Sequence, residues 1–198
     1  MFRNGAALLL GTLVLLLSAA APAQEPRKEF RRGTVVVTPQ VGGGNAHNIG
    51  GFREFSDVSF VNVAVRVSVL PFEPLGTGPL GGALELGLEP FFQYYTGEQA
   101  TAEGRKVAAR YHFLAAGTLV PYVEGLAGVA ATSLNVPEMD SNHAFFLEGG
   151  LGLSYFLKDG VALTVGYRFQ HLERGSRRPE HGHQLEHGRG RRLFLFPL

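Results

Sequence analysis

One histidine near the end of an alternating segment has a side chain that could be catalytic. His171 follows Tyr167 and Phe169 at intervals of two residues, so a β-strand would place all three on one face. An ionisable side chain at such a position is a candidate functional group, and an imidazole changes its charge near neutral pH. The simpler interpretation is that His171 is one more ring at the rim of a strand.

A second group of reactive residues lies in the tail, where histidines and acids alternate with glycine. The group comprises Glu180, His181, His183, Glu186 and His187. Such a segment could bind a divalent metal ion, but a His-rich loop is more often simply solvated. We therefore predict no metal site and no cofactor.

The elements that must position His171 are segments in which apolar and polar residues alternate. In the clearest one, Val61 to Val69, every second residue is valine and the residues between are polar or small. This period of two is typical of β-strands. Six further segments have it: Thr34–Gly42, Leu84–Glu89, Val107–Phe113, Pro121–Thr132, Phe145–Tyr155 and Val161–Gln170.

The polar faces of these segments carry charges that a soluble β-sandwich could not bury freely. They are Arg66, Glu85, Glu89, Arg110, Glu124, Glu148 and Arg168. Inside a membrane barrel the same charges can pair, and strands of about ten residues can cross a bilayer at a tilt. We predict an all-β fold, an eight-stranded antiparallel transmembrane β-barrel with a narrow, plugged interior. A soluble periplasmic β-sandwich is the alternative.

Composition and the N-terminus are consistent with an exported protein. Arg3, the apolar run Ala6–Leu17 and the motif Ala21-Pro22-Ala23 form a predicted signal peptide, so the mature chain would begin near Gln24. The 198 residues include 27 Gly and no Cys, and their net charge is +1. Without cysteine there is no disulfide or thiolate chemistry, and the balanced charge argues against a nucleic-acid partner. We predict location in the bacterial outer membrane, reached through the periplasm.

Loop lengths predict the orientation of the barrel. Lys158–Gly160 and Ala116–Leu119 are short and are assigned to the periplasmic side, with Pro71–Pro79 as a long exception. The longer polar segments 43–57, 133–143 and 172–192 are assigned to the outside. Strand seven would then end at the outer surface, at His171, with its ring facing lipid.

Three motifs resemble the lipid A 3-O-deacylase family of outer-membrane barrels, whose members are also called acyloxyacyl hydrolases. They are GYRFQHL at 166–172, PYVEG at 121–125 and LGLSYF at 151–156. The resemblance implies an eight-stranded barrel that hydrolyses an ester-linked acyl chain of lipopolysaccharide. It also implies that His171 is the general base for a serine two residues later, with a glutamate further on that orients the histidine.

The sequence departs from this family pattern directly after His171. Glu173 stands where the serine nucleophile is expected, and a carboxylate cannot perform the same acyl transfer. Glu186 is a weak candidate for the orienting acid, because it lies one residue beyond the expected spacing and Leu185 occupies the matching position.

Residues 173–192 also lose the alternation and become rich in Arg and His. We hypothesise a frameshift after His171, because codons read one base out of phase can recover the family motif S-N-A-G in register. The DNA sequence across codons 170 to 176 tests this hypothesis. The arginines of the tail could instead contact lipopolysaccharide phosphates; they are Arg174, Arg177, Arg178, Arg189, Arg191 and Arg192.

The sequence thus predicts three segments: a signal peptide at 1–23, strands one to seven within 24–172, and an aberrant loop with a degraded eighth strand at 173–198. The predicted function is a lipid A deacylase-like esterase whose present chain lacks its nucleophile. A non-enzymatic structural or lipid-binding barrel is the alternative. Predicted partners are lipopolysaccharide and outer-membrane lipid, and a homodimer remains open.

Overall fold

The computed structural model of the chain describes residues 28–47, 59–97, 99–133, 143–174 and 192–197. Eight antiparallel strands close into one barrel, each paired with its neighbours in sequence order. The strands are β1 (Val35–His47), β2 (Ser59–Val69), β3 (Gly82–Tyr95), β4 (Ala100–Phe113), β5 (Leu119–Thr132), β6 (His143–Lys158), β7 (Val161–Arg174) and β8 (Arg192–Pro197). The predicted fold class is confirmed.

Each predicted alternating segment falls in one strand, except that Thr34 directly precedes β1, and several strands are longer than predicted. β4 begins at Ala100, seven residues before the start predicted at Val107. The sequence pattern missed this part of the strand because Glu103 and Arg105 interrupt the apolar outer face, although both residues are paired with β3. β7 continues through His171 to Arg174. The backbone ladder tolerates charged outward residues, so hydropathy alone underestimates strand length.

The eighth strand, which the sequence predicted to be degraded, is present and is the shortest of the eight. β8 forms over six residues, pairing with Tyr167–Leu172 of β7 and with Asn45–His47 of β1. Closure satisfies backbone groups that an open edge would leave unpaired in lipid. Pro197, which cannot donate to a ladder, is the last residue of the strand.

The barrel has two different surfaces. Its outer surface is apolar: the valines of β2 between Val61 and Val69 are 39–50% exposed. Its inner surface is buried and carries the polar residues that alternate with them, such as Asn62, Arg66 and Ser68. The charges predicted to point into the lumen do so. Within the described ranges, no helix is long and apolar enough to span a bilayer.

The interior is filled in three layers. An apolar cluster that includes Phe60, Phe91 and Phe146 occupies one end, and charged side chains occupy the middle. The other end, which we call the short-turn end, carries connections 70–81, 114–118 and 159–160. There a second apolar cluster contains Leu70 and Phe30, the latter from the segment before β1.

Several predictions fall on residues outside the described ranges. These are the signal peptide at 1–23, the orienting acid Glu186, the His-rich metal-binding alternative, and the tail from 175 to 191. The predicted domain boundaries and the assignment of barrel ends to the two sides of the membrane stay predictions.

Candidate functional site

The candidate site predicted from sequence lies on β7 at the end of the barrel away from the short-turn end. His171 is partly exposed and is paired with Leu147 of β6 and Leu193 of β8. It follows Tyr167 and Phe169, which are 43% and 37% exposed on the outer surface. β7 therefore carries His171 on the lipid-facing side near the end of the strand.

Of the two acidic residues predicted to act with His171, the structure describes the backbone of Glu173 and does not describe Glu186. Glu173 belongs to β7, where its backbone is opposite Phe145 of β6. Glu186 lies outside the described residues. The structure thus places His171 and Glu173 two positions apart on one strand, and their roles as base and as substitute for the nucleophile stay predictions.

The largest group of reactive side chains is inside the barrel. Seven buried residues from six strands form what we call the interior ion cluster. They are Arg66, Glu89, Lys106, Arg110, Glu124, Glu148 and Arg168. With Glu85, the buried interior holds four cations and four carboxylates, so formal charges balance when His112 is neutral.

Arg168 of β7 is the centre of the interior ion cluster. Its Nε donates to Glu124 Oε1 at 2.6 Å, and its Nη1 donates to Glu89 Oε1 at 2.8 Å. Nη2 donates to Gln40 Oε1 at 2.9 Å, and Nη1 lies 3.6 Å from Glu148 Oε2. One fully buried guanidinium thus connects β1, β3, β5 and β6 with β7.

Glu89 and Glu124 each receive three cations. Arg66 donates to Glu89 Oε2 at 2.6 Å and to Glu124 Oε2 at 2.9 Å, and Arg110 donates to the same Glu124 oxygen at 2.9 Å. Lys106 Nζ lies 3.1 Å from Glu89 Oε1 and 2.9 Å from Glu148 Oε1. Because every carboxylate is paired, the cost of burying these charges is offset by contacts that only the closed barrel assembles.

A histidine–glutamate pair lies between the interior ion cluster and the short-turn end. His112 Nε2 is 2.7 Å from Glu85 Oε2, and Ser68 donates to the other Glu85 oxygen at 2.5 Å. The Phe30 ring packs on the imidazole with centroids 4.7 Å apart. This pair is buried and covered by an aromatic ring, so its geometry fits a structural role.

Sequence reasoning missed two members of this interior. Lys106 was not included among the lumen charges, although it shares parity with Arg110 four residues later. The pairing of His112 with Glu85 was also missed, because it depends on which residues face each other across the lumen. No group of three or more His, Asp or Glu that could hold a metal ion occurs in the described part of the chain.

The chemistry available to the two regions differs. The interior carboxylates Glu89, Glu124 and Glu148 are paired with guanidinium and ammonium groups, Glu85 is paired with His112 and Ser68, and all four are buried, so their geometry fits a structural role. His171 lies on the outer surface of the barrel, where it is partly exposed. Of these two regions, the β7 site is the one that molecules outside the barrel can reach.

Comparison with known proteins gives one match. A family model described as "Outer membrane protein beta-barrel domain" matches residues 10–186. No curated protein and no solved structure matches the chain.

Proposed function

The chain belongs to the outer membrane protein β-barrel family. Within that family we propose that it is a lipid A deacylase-like barrel, exported through the periplasm, whose site is centred on His171. The observation that carries the proposal is the position of His171. It follows two lipid-exposed rings on β7 and remains partly exposed itself. The motif resemblance around residues 166–172 supports the same site.

The proposed reaction is hydrolysis of an ester-linked acyl chain on lipopolysaccharide. In such a reaction a base removes a proton from a hydroxyl nucleophile, which attacks the ester carbonyl and forms an acyl-enzyme. His171 supplies the base. Glu173 occupies the position of the nucleophile and has no hydroxyl to be acylated, so the chain as it stands lacks one half of the pair.

We expect the purified, refolded protein to leave lipid A intact. The measurement is mass spectrometry of lipid A after incubation with the protein in mixed micelles, where loss of one 3-hydroxyacyl chain would mark turnover. Robust acyl release by the unaltered chain would contradict the proposal that Glu173 stands in the nucleophile's position and cannot replace the serine. If release also persists in His171→Ala, the site itself is wrong.

The matched gain-of-function test restores the missing hydroxyl. We expect Glu173→Ser alone to remain inactive, because the orienting acid and the loop after β7 also depart from the family pattern. A chain that has serine at position 173, and in which the residues after His171 are replaced by the sequence encoded in the shifted reading frame, is expected to release the acyl chain. If both forms stay inactive while folded, as judged by heat-modifiable gel migration, the esterase proposal fails.

A non-enzymatic structural or lipid-binding barrel is the second candidate. The observation in its favour is the filled interior, in which charged side chains contributed by β2 to β7 are committed to one another. Such a barrel would bind lipid at its outer surface without changing it. Failure of every nucleophile-restored form described above would favour this candidate.

A further inference from the structure

The connection between β2 and β3, residues 70–81, has exposed apolar side chains at the short-turn end. Phe72, Leu75 and Leu80 are 52%, 49% and 77% exposed. Glu73 is the one charged residue in this stretch of sequence. Large exposed apolar surfaces typically mark contact with a membrane or with another protein, so this composition does not fit a turn that is only solvated.

Hydrogen bonds fix the backbone of this connection to the barrel. Leu75 and Gly82 exchange two backbone hydrogen bonds, of 2.7 and 2.9 Å. Gly81 donates to Gly78 at 3.0 Å and accepts from Leu114 at 2.9 Å. Three further residues have no N–H that would need a partner: Pro71, Pro74 and Pro79. Since unpaired backbone groups are costly in lipid, these features reduce the cost of placing the connection where there is little water.

Tyr111 of β4 holds the connection at the outer surface of the barrel. Its side chain is on the face of β4 that carries the exposed Val107. The Tyr111 hydroxyl donates to the Leu80 carbonyl oxygen at 2.8 Å, and a Cβ added at Gly82 would lie 2.7 Å from the ring. Phe113 packs edge-on against Tyr111, with ring centroids 5.2 Å apart. Aromatic rings at the ends of the apolar band of a barrel are typical of the membrane interface.

We propose that the connection between β2 and β3 lies in the lipid leaflet at the short-turn end, with Phe72, Leu75 and Leu80 at the boundary between headgroups and acyl chains. The partner is the surface of the leaflet, and no single lipid molecule needs to be selected. The lipid-facing surface of the barrel continues from Tyr111 onto this connection, so one leaflet covers both. The proposal does not depend on the proposed function, because it holds equally for an enzyme and for a structural barrel.

Charge and position favour a leaflet over a protein partner. A segment that lies in the interface buries its apolar side about 5–10 Å deep and keeps its charged groups at the headgroups. Glu73 is exposed and can stay at that level while Leu75 and Leu80 reach deeper. A second copy of the chain would also cover these side chains. Because the chain is an outer-membrane barrel, however, lipid already surrounds the adjoining outer face of β4.

Tryptophan fluorescence tests the proposal directly, because the chain contains no Trp and a single introduced one reports its own surroundings. The full chain carrying Leu80→Trp is folded into vesicles of phosphatidylcholine whose acyl chains are brominated. We expect blue-shifted emission and loss of most of its intensity relative to unbrominated vesicles. Val107→Trp on the outer face of β4 is the lipid-facing control and should behave in the same way. Asp159→Trp, in the exposed tight turn at the same end, should emit as in water and keep its intensity.

A second variant tests the contact made by Tyr111. Tyr111→Phe removes the hydroxyl that bonds Leu80, so it should reduce the quenching of Leu80→Trp and leave that of Val107→Trp unchanged, in protein that retains its heat-modifiable band. Unchanged quenching of Leu80→Trp would overturn the role given to this hydroxyl. Emission of Leu80→Trp like that of Asp159→Trp would overturn the whole proposal. Blue-shifted emission without quenching would also overturn it and would assign the side chain to a protein contact instead.

Discussion

Replacing Arg168 with alanine is expected to remove a large part of the folding free energy of the barrel. Arg168 is fully buried and bonds Glu124, Glu89 and Gln40. Its loss leaves four buried carboxylates facing three cations. Removing one partner of a buried ion pair typically costs about 3–5 kcal/mol, against a total stability of about 5–15 kcal/mol for a typical domain.

The measurement is urea unfolding in phospholipid vesicles, followed by the heat-modifiable band of the folded barrel. Arg105→Ala is the matched control, since Arg105 is exposed on the outer face of β4 and its removal should change the unfolding midpoint little. An Arg168→Ala midpoint equal to that of Arg105→Ala would show that the interior ion cluster contributes no net stability.

A double variant separates loss of charge balance from loss of packing. The double variant Arg168→Met with Glu124→Gln keeps side chains of similar volume at both positions. It leaves three buried cations and three buried carboxylates, so the formal charges of the interior balance again. We expect it to recover part of the stability that Arg168→Met loses alone, because the coupling between contacting charges is not additive. No recovery would mean that Arg168 acts through its packing and not through its charge.

The second large effect is expected at two glycines that face the Tyr122 hydroxyl. A Cβ placed on Gly166 would meet that oxygen, with the next atoms at 3.3 Å, and one placed on Gly152 would meet both the hydroxyl and the carbonyl oxygen of Val165. Overpacking a well-packed interior typically costs about 1–3 kcal/mol. We expect Gly152→Ala to cost more folding free energy than Gly166→Ala, because a backbone carbonyl cannot move aside without breaking the hydrogen bonds between the strands.

Tyr122→Phe distinguishes the two positions. The Tyr122 hydroxyl has no hydrogen-bond partner among the described residues, so its removal alone should cost little. Tyr122→Phe is expected to rescue Gly166→Ala almost fully and Gly152→Ala only in part. Gly149→Ala is the control in the same strand, since a Cβ there meets nothing within 4 Å. Equal unfolding midpoints for all three alanine variants would refute the close contact.

Period two in the sequence was sufficient to predict seven strands and the direction of their faces. Val61 to Val69 show why, because strict alternation of β-branched with polar or small residues is typical of a strand whose two faces meet different surroundings. The same alternation placed Arg66, Glu124 and Arg168 in the lumen before any pairing was known. Both predictions use only residues that are close in sequence, because successive side chains of a β-strand point to opposite faces whatever the strand pairs with.

The tertiary structure decided which charges meet and how the barrel closes. Arg168 bonds Glu89 across 79 residues of sequence, and that contact exists only when barrel closure brings β7 and β3 to face each other across the lumen. β8 likewise forms on the two edges it joins, and its six residues are too few for alternation alone to give its bounds. The packing of Phe30 on His112 and the contact of Tyr122 with Gly152 and Gly166 have the same origin. Both contacts join residues that are far apart in the chain, so the tertiary structure decides them.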